Sequence, residues 1–268
     1  MSFKDSHSEQ AGLRPPAGPW GSPVPEPPVQ PPPPQASHDP RNKWARFSSV
    51  AFFVLLLLLL GGRAYQDLSR PEAWAYWKDS YFSPSMTSSL IANADPDGSG
   101  RRRPALAISG TIGPAAVGWF RDRLGEAHLA AGDTVVLSSP GGNLNQAIIM
   151  GEIIRSRGLM TAVGTIDASG KIRPSYCASA CVLVYAGGKA RIGVEGSMLG
   201  VHRFVALTPG HDPVAETQRI AGAVLSYLTR MGVSSSVMEA MSATSDIRWL
   251  GAKEAAAMSL ITDPVGRR

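Results

Sequence analysis

The chain has little of what several large function classes require. Among 268 residues there are only two cysteines, Cys177 and Cys181, and no nearby histidine or aspartate completes a zinc set with them. Charge of one sign is also scarce where a domain would fold. From Pro104 onward, 15 Lys/Arg stand against 12 Asp/Glu. That near-balance excludes the electrostatic footprint of a nucleic-acid binder, although the whole chain carries +5. The one basic cluster, Arg101 to Arg103, reads as a solvated linker at a domain edge. A single long apolar run excludes a polytopic membrane protein, and 44% hydrophobic residues exclude a fully disordered chain. No Gly-Lys-Ser/Thr follows the chain's Gly-Gly turn, so there is no P-loop.

What is present is unevenly spread. Twelve of the 22 prolines lie between Pro15 and Pro40. Pairs and runs such as Pro15-Pro16, Pro27-Pro28 and Pro31 to Pro34 lock φ and remove backbone donors. Residues 1–46 therefore read as a disordered tail with polyproline II character, either a plain tether or a ligand for an aromatic-lined groove. Val50 to Leu60 is an unbroken apolar run, and residues 47–63 read as a single-pass transmembrane anchor. A cleaved signal peptide and a buried core helix are the competing readings. Gly62-Arg63-Ala64 is a poor cleavage site, and the run has no polar face. Arg41, Lys43 and Arg46 precede the run and Arg63 follows it. The positive-inside bias places the N-terminus in the cytoplasm and the rest outside. Residues 64–103 read as a linker, dense in aromatics (Trp74, Tyr76, Trp77, Tyr81, Phe82) and closed by the turn-rich segment Asp95 to Gly100.

Residues 104–268 alternate between strand and helix patterns. Ala105 to Ser109 and Thr134 to Leu137 are apolar strand candidates, and Met160 to Val163 is a third. Val117, Phe120, Leu124 and Ala127 step at helical spacing, as do Leu144, Ala147, Ile148, Gly151 and Ile154. Gly158 is placed to end the second helix as a left-handed cap. Strand, helix, strand, helix predicts an α/β domain of parallel βαβ units. A long amphipathic helix is expected from Pro213 to Leu228.

Three features carry chemistry. Ser139-Pro140-Gly141-Gly142 follows a strand and precedes a helix, so bare backbone N–H groups could face an anion or a developing oxyanion. Its bland reading is a tight turn. Cys177-Ala178-Ser179-Ala180-Cys181 surrounds a serine with small residues before an apolar helix, an arrangement that can raise a nucleophile above a sheet. Its bland reading is close helix packing. His202 ends a short apolar strand, where a histidine is either structural or the base for a serine. The two cysteines, at an i,i+4 separation, could pair in an oxidising compartment or remain small buried thiols.

In this order the three features resemble the Clp protease/crotonase superfamily, specifically its serine-peptidase, ClpP-like branch. Leu250 to Ala255 and Met258 to Asp263 are similar to that branch's closing segment. The cysteines around the serine look most like a membrane-anchored or exported subgroup. The resemblance spans residues 105–265 and implies a ClpP/crotonase-like stack of βαβ units. It implies Ser179 as nucleophile and His202 as general base. It also implies an oxyanion hole at Gly141, Gly142 and Ala180, with the N–H groups of Gly142 and Ala180 as donors. The branch places an acid just before its closing segment. Alignment on Trp249-Leu250 puts Ile247 there, with Asp246 one residue early as the candidate third member. A Ser–Lys pair using Lys171 or Lys189 is a lesser alternative. The expected activity is serine-dependent hydrolysis of peptides or unfolded protein on the extracytoplasmic, periplasmic side of the inner or plasma membrane. No metal or organic cofactor is implied, and a homo-oligomer is expected. An inactive scaffold of the same fold and a crotonase-like acyl-CoA enzyme are the rival readings.

Overall fold

The structure, a computed structural model, describes residues 41–96, 98, 100–204 and 212–264. The chain divides into two compact units, 1–57 and 58–268. The Pro-rich tail lies, up to residue 40, outside the described residues. Residues 41–46, assigned to that tail on composition, already belong to helix α1 (Arg41–Leu68). Every apolar side chain from Phe47 to Leu60 is exposed. Within α1 the stretch Phe47–Leu68, 22 residues, is long and apolar enough to cross a membrane by length and composition. At 1.5 Å per residue it reaches about 33 Å, enough for a hydrocarbon core of about 30 Å. The span expected over 47–63 is longer because the helix continues past Arg63 to Leu68.

After α1 comes α2 (Pro71–Trp77), which runs into one π-helical turn, Lys78–Phe82. Next come β1 (Met86–Ala94), β2 (Arg103–Gly110), α3 (Ala116–Ala127), β3 (Thr134–Ser138), α4 (Leu144–Ser156) and β4 (Met160–Val163). A small hairpin, β5 (Thr165–Ile166) and β6 (Ile172–Arg173), leads to β7 (Tyr176–Ala178), α5 (Cys181–Ala186), β8 (Arg191–Gly193) and β9 (Met198–Val201). The chain closes with α6 (Pro213–Arg230), α7 (Ser236–Ser242), β10 (Arg248–Leu250), α8 (Ala252–Ala257) and β11 (Asp263–Pro264).

The main sheet has the order β1-β2-β3-β4-β8-β11. Strands β2, β3, β4, β8 and β11 run parallel, and β1 is the antiparallel edge. This is the mixed α/β architecture that the alternating pattern predicts. Strand β3 shows why the sheet is covered on both sides. Val135 and Leu137 enter the larger apolar cluster with Phe120, Met150 and Leu183, while Val136 faces the other way to Ala105, Ala162 and Ile192. Asn143 caps α4 by accepting the Gln146 N–H, and Gly158 stops it at φ +66°. Asp212 caps α6 in the same way, accepting from Val214 and Ala215.

The segment read as a linker is structured. Residues 86–94 form β1, and Arg103 joins the buried Asp133 at 3.0 Å. Its small polar residues gave no alternating pattern, because β1 is an edge strand held mainly by its ladder with β2.

A smaller sheet, β10-β9-β7, carries the candidate site. Ser139, just past β3, bridges to Cys177 of β7, so the end of one sheet is tied to the start of the other.

Candidate active site

Strand β7 delivers the chain to Ser179, whose backbone turns to φ +56° before α5 begins. A non-glycine residue in the left-handed region is uncommon and is held there by its surroundings. The Ser179 N–H donates to the Gly200 carbonyl at 2.8 Å, and its own carbonyl accepts from Val182 at 3.0 Å. Cys177 and Cys181 are buried and joined in a disulfide, with Cα atoms 5.3 Å apart. The serine turn is thus closed by a covalent loop of five residues.

Gly200 lies on β9, two residues before His202. The His202 Nε2 stands 2.7 Å from the Ser179 Oγ, and both residues are half-buried. For the serine hydroxyl to donate, Nε2 must be bare and Nδ1 must hold the imidazole proton, an assignment that follows from the hydrogen bond.

The Gly141-Gly142 turn packs directly on this serine. A Cβ at Gly141 would fall 2.6 Å from the Ala178 carbonyl oxygen and 2.7 Å from the Ser179 Cβ, and φ there is +99°. Only glycine fits. The Gly141 N–H donates to Ser139 Oγ at 3.1 Å, so it is occupied. The N–H groups of Gly142 and Ala180 make no hydrogen bond among the described residues. Ile112 fixes the turn from behind. Its N–H donates to the Gly141 carbonyl at 2.8 Å, and its carbonyl accepts from Asn143 at 2.7 Å. No sequence signal marked Ile112, which lies in the short connection between β2 and α3.

Asp246 is not brought to His202. It sits in a turn closed by Thr244, whose hydroxyl bonds both the Asp246 carbonyl and its N–H. Arg248 pairs with Val201, so the next position back, Ile247, comes level with His202. A Cβ at Gly200 would lie 2.6 Å from the Ile247 Cγ2, which puts the Ile247 side chain on the His202 face. Among the described residues no carboxylate bonds His202. Lys189 is exposed beyond the far end of α5, and Lys171 lines a separate cleft, so neither amine reaches Ser179.

A pocket of about 200 Å³ that includes neither Ser179 nor His202 is lined by Arg203, Phe204, Thr217, Ala221, Met238, Met241 and Ser242. The Phe204 ring lies 6.5 Å from the imidazole. The open cleft containing Lys171, about 750 Å³ and lined also by Asp95, Arg102 and Glu195, includes neither Ser179 nor His202. Among the described residues no three His, Cys, Asp or Glu side chains gather as a metal set.

No family model matches the chain, and no curated protein matches it. Among solved structures it is similar to ClpP1 from Listeria monocytogenes. The wild type is 16% identical with a TM-score of 0.47, and an asparagine-to-aspartate mutant is 15% identical with a TM-score of 0.48. Each match covers 61% of this chain and 92% of the other. A serine-to-alanine mutant of the membrane-bound stomatin-specific protease 1510-N is 18% identical with a TM-score of 0.47, covering 61% of this chain and 78% of that one. At such identities and TM-scores the likeness says nothing of what this chain does.

Proposed function

We propose that this chain is a membrane-anchored serine hydrolase that cleaves peptides or unfolded protein, with Ser179 as nucleophile and His202 as general base. The observation that carries the reading is the 2.7 Å contact between Ser179 Oγ and His202 Nε2, made by a serine held at φ +56°. His202 takes the hydroxyl proton as Oγ attacks a substrate carbonyl carbon. The N–H groups of Gly142 and Ala180 receive the oxyanion that develops, a contribution worth about 3 kcal/mol per donor in comparable sites. The protonated imidazole then gives its proton to the leaving amine, and water repeats the cycle on the acyl-enzyme. The pocket beside Phe204 takes an apolar substrate side chain. With no carboxylate on Nδ1 among the described residues, the machinery is a dyad.

The anchor is Phe47–Leu68, and the basic residues that precede it place the catalytic unit outside the cytoplasm. A disulfide between Cys177 and Cys181 suits such an oxidising compartment. The chain acts as a homo-oligomer. A fluorophosphonate probe applied to wild type, Ser179→Ala and His202→Ala tests the reading. Labelling is expected in wild type alone, and labelling that persists in Ser179→Ala removes the nucleophile assignment. The second reading, an inactive scaffold, is favoured by the missing carboxylate at His202. Well-folded wild type that never labels establishes it instead.

A further inference from the structure

Asp79 is a buried carboxylate, 9% exposed, in a segment that neither the sheet nor the dyad explains. It stands in the π-helical turn Lys78–Phe82, a rare geometry that recurs at functional places. Its Oδ1 accepts the Ser85 N–H at 2.8 Å and its Oδ2 accepts the Ala115 N–H at 3.0 Å. Among the described residues no cation pairs with it. Ala115 is the N-cap of α3 and supplies no side-chain cap, so the carboxylate arrives from outside the helix to take that role. Gly113 lies so close that a Cβ on it would be 2.2 Å from Oδ2.

Residues 111–115 are therefore gripped along one side. The Thr111 N–H donates to the Ser85 carbonyl at 3.1 Å, and Ala115 is held by Asp79. Between those two anchors sits Ile112, which holds the other side of the connection to Gly141 and Asn143. A Cβ at Gly142 would fall 2.3 Å from the Ile112 carbonyl oxygen, so the glycine turn rests directly on this backbone. Three segments stack in order: the Asp79–Ser85 clamp, the 111–115 connection and the Gly141–Asn143 turn.

We propose that Asp79 is a positioning residue for the oxyanion site: by clamping residues 111–115 it sets where the Gly142 N–H points. The proposal rests on the hydrolase reading for its catalytic consequence and on backbone geometry alone for its mechanical one. Asp79 touches no reacting atom. Loosening the clamp moves the Gly142 donor and leaves the Ser179–His202 pair in place, because that pair is fixed from β7 and β9.

The experiment uses the full chain in detergent or nanodiscs. Asp79→Asn keeps the shape, replaces one acceptor oxygen by a donor and removes the charge. Gly113→Ala keeps Asp79 and drives a methyl group against it, at a residue whose φ suits any side chain. Two readouts are taken on folded protein. Amide hydrogen exchange in peptides covering 111–117 and 140–144 is expected to rise in both variants. Fluorophosphonate labelling of Ser179 is expected to show a maximal rate lower by roughly tenfold or more, with unchanged probe affinity. The pH midpoint of labelling is expected to stay where it is in wild type. Unchanged exchange at 140–144 in either folded variant overturns the proposal, whether or not the protein is active. So does a labelling rate within twofold of wild type, or a loss accompanied by a shifted midpoint. A wild type that does not label, with exchange at 140–144 raised in the variants, defeats the hydrolase reading and leaves the clamp standing.

Discussion

Arg248 opens β10 opposite Val201, and one step back Ile247, rather than Asp246, comes level with His202. Ile247 is on the imidazole's side at 44% exposure, so a carboxylate there would be solvated rather than forced into the core. Ile247→Asp is expected to raise the rate of Ser179 labelling by roughly tenfold or more. In proteases with a Ser-His-Asp triad, losing the acid costs about four orders of magnitude. Asp246→Asn is expected to leave the rate within about twofold. If instead Asp246→Asn abolishes labelling, the 244–247 turn rearranges and the proposed dyad goes. Ser179 and His202 were legible as candidates because their types and neighbours are unusual: a serine among small residues and a histidine ending an apolar strand. The third position was not, since register depends on which residues pair across β9 and β10. A sequence states neither partner. The occupied Gly141 N–H was equally hidden, because its acceptor is the hydroxyl of Ser139, a side chain whose direction only the folded turn decides.

At the scale of elements, the helices are gathered by one buried arginine. Arg191, 2% exposed at the start of β8, has no carboxylate partner among the described residues. Its Nε donates to the Leu260 carbonyl at 2.9 Å, Nη2 to Ser259 at 2.7 Å, and Nη1 to Gly188 and Met231 at 3.2 and 3.1 Å. These carbonyls close the C-terminal ends of α8, α5 and α6, where the helix dipoles present negative charge. Burial pulls the guanidinium pKa below its ordinary value, with neighbouring Arg155 adding to the shift. Arg191→Lys keeps the charge and loses the planar fork that reaches three helix ends at once. The expected cost is about 3 kcal/mol of unfolding free energy, at about 1 kcal/mol for each helix end left unpaired. Denaturant unfolding of the full chain measures it, and a cost under about 0.5 kcal/mol would mean the ends are closed by something else. The order of strands and helices from β2 to β4 was readable from period and glycine placement. Arg191 was not, because an arginine opening a short strand has the same appearance on the surface as in the core. The strand β1 escaped notice for a related reason: Met86 and Ala94 are its only buried residues, so no two-residue period shows.

For the molecule as a whole, the covalent link at the serine turn and the apolar span make one combined statement about where the protein works. The disulfide closes a five-residue loop, and chain-entropy arguments give it about 2 kcal/mol. Its sulfurs belong to buried residues, so in the folded state a soluble reductant has poor access to them. A compartment that oxidises thiols favours such a bond. If residues 47–68 cross the membrane with the preceding arginines and lysine inside, that condition is met by the topology itself. Protein made with the span intact should resist maleimide modification until it is denatured and reduced, after which two thiols appear. Protein retained in the cytoplasm by deletion of 41–63 should show both thiols without reduction and unfold with about 2 kcal/mol less stability. Its Ser179 should also label more slowly, because the turn at φ +56° has lost its covalent closure. Two free thiols in the membrane-inserted form would reverse the orientation, since the catalytic unit would then lie on the reducing side. Equal stability of the oxidised and reduced forms would show that the tertiary contacts of Ser179, chiefly its bond to Gly200, hold the turn without help from the sulfur bridge.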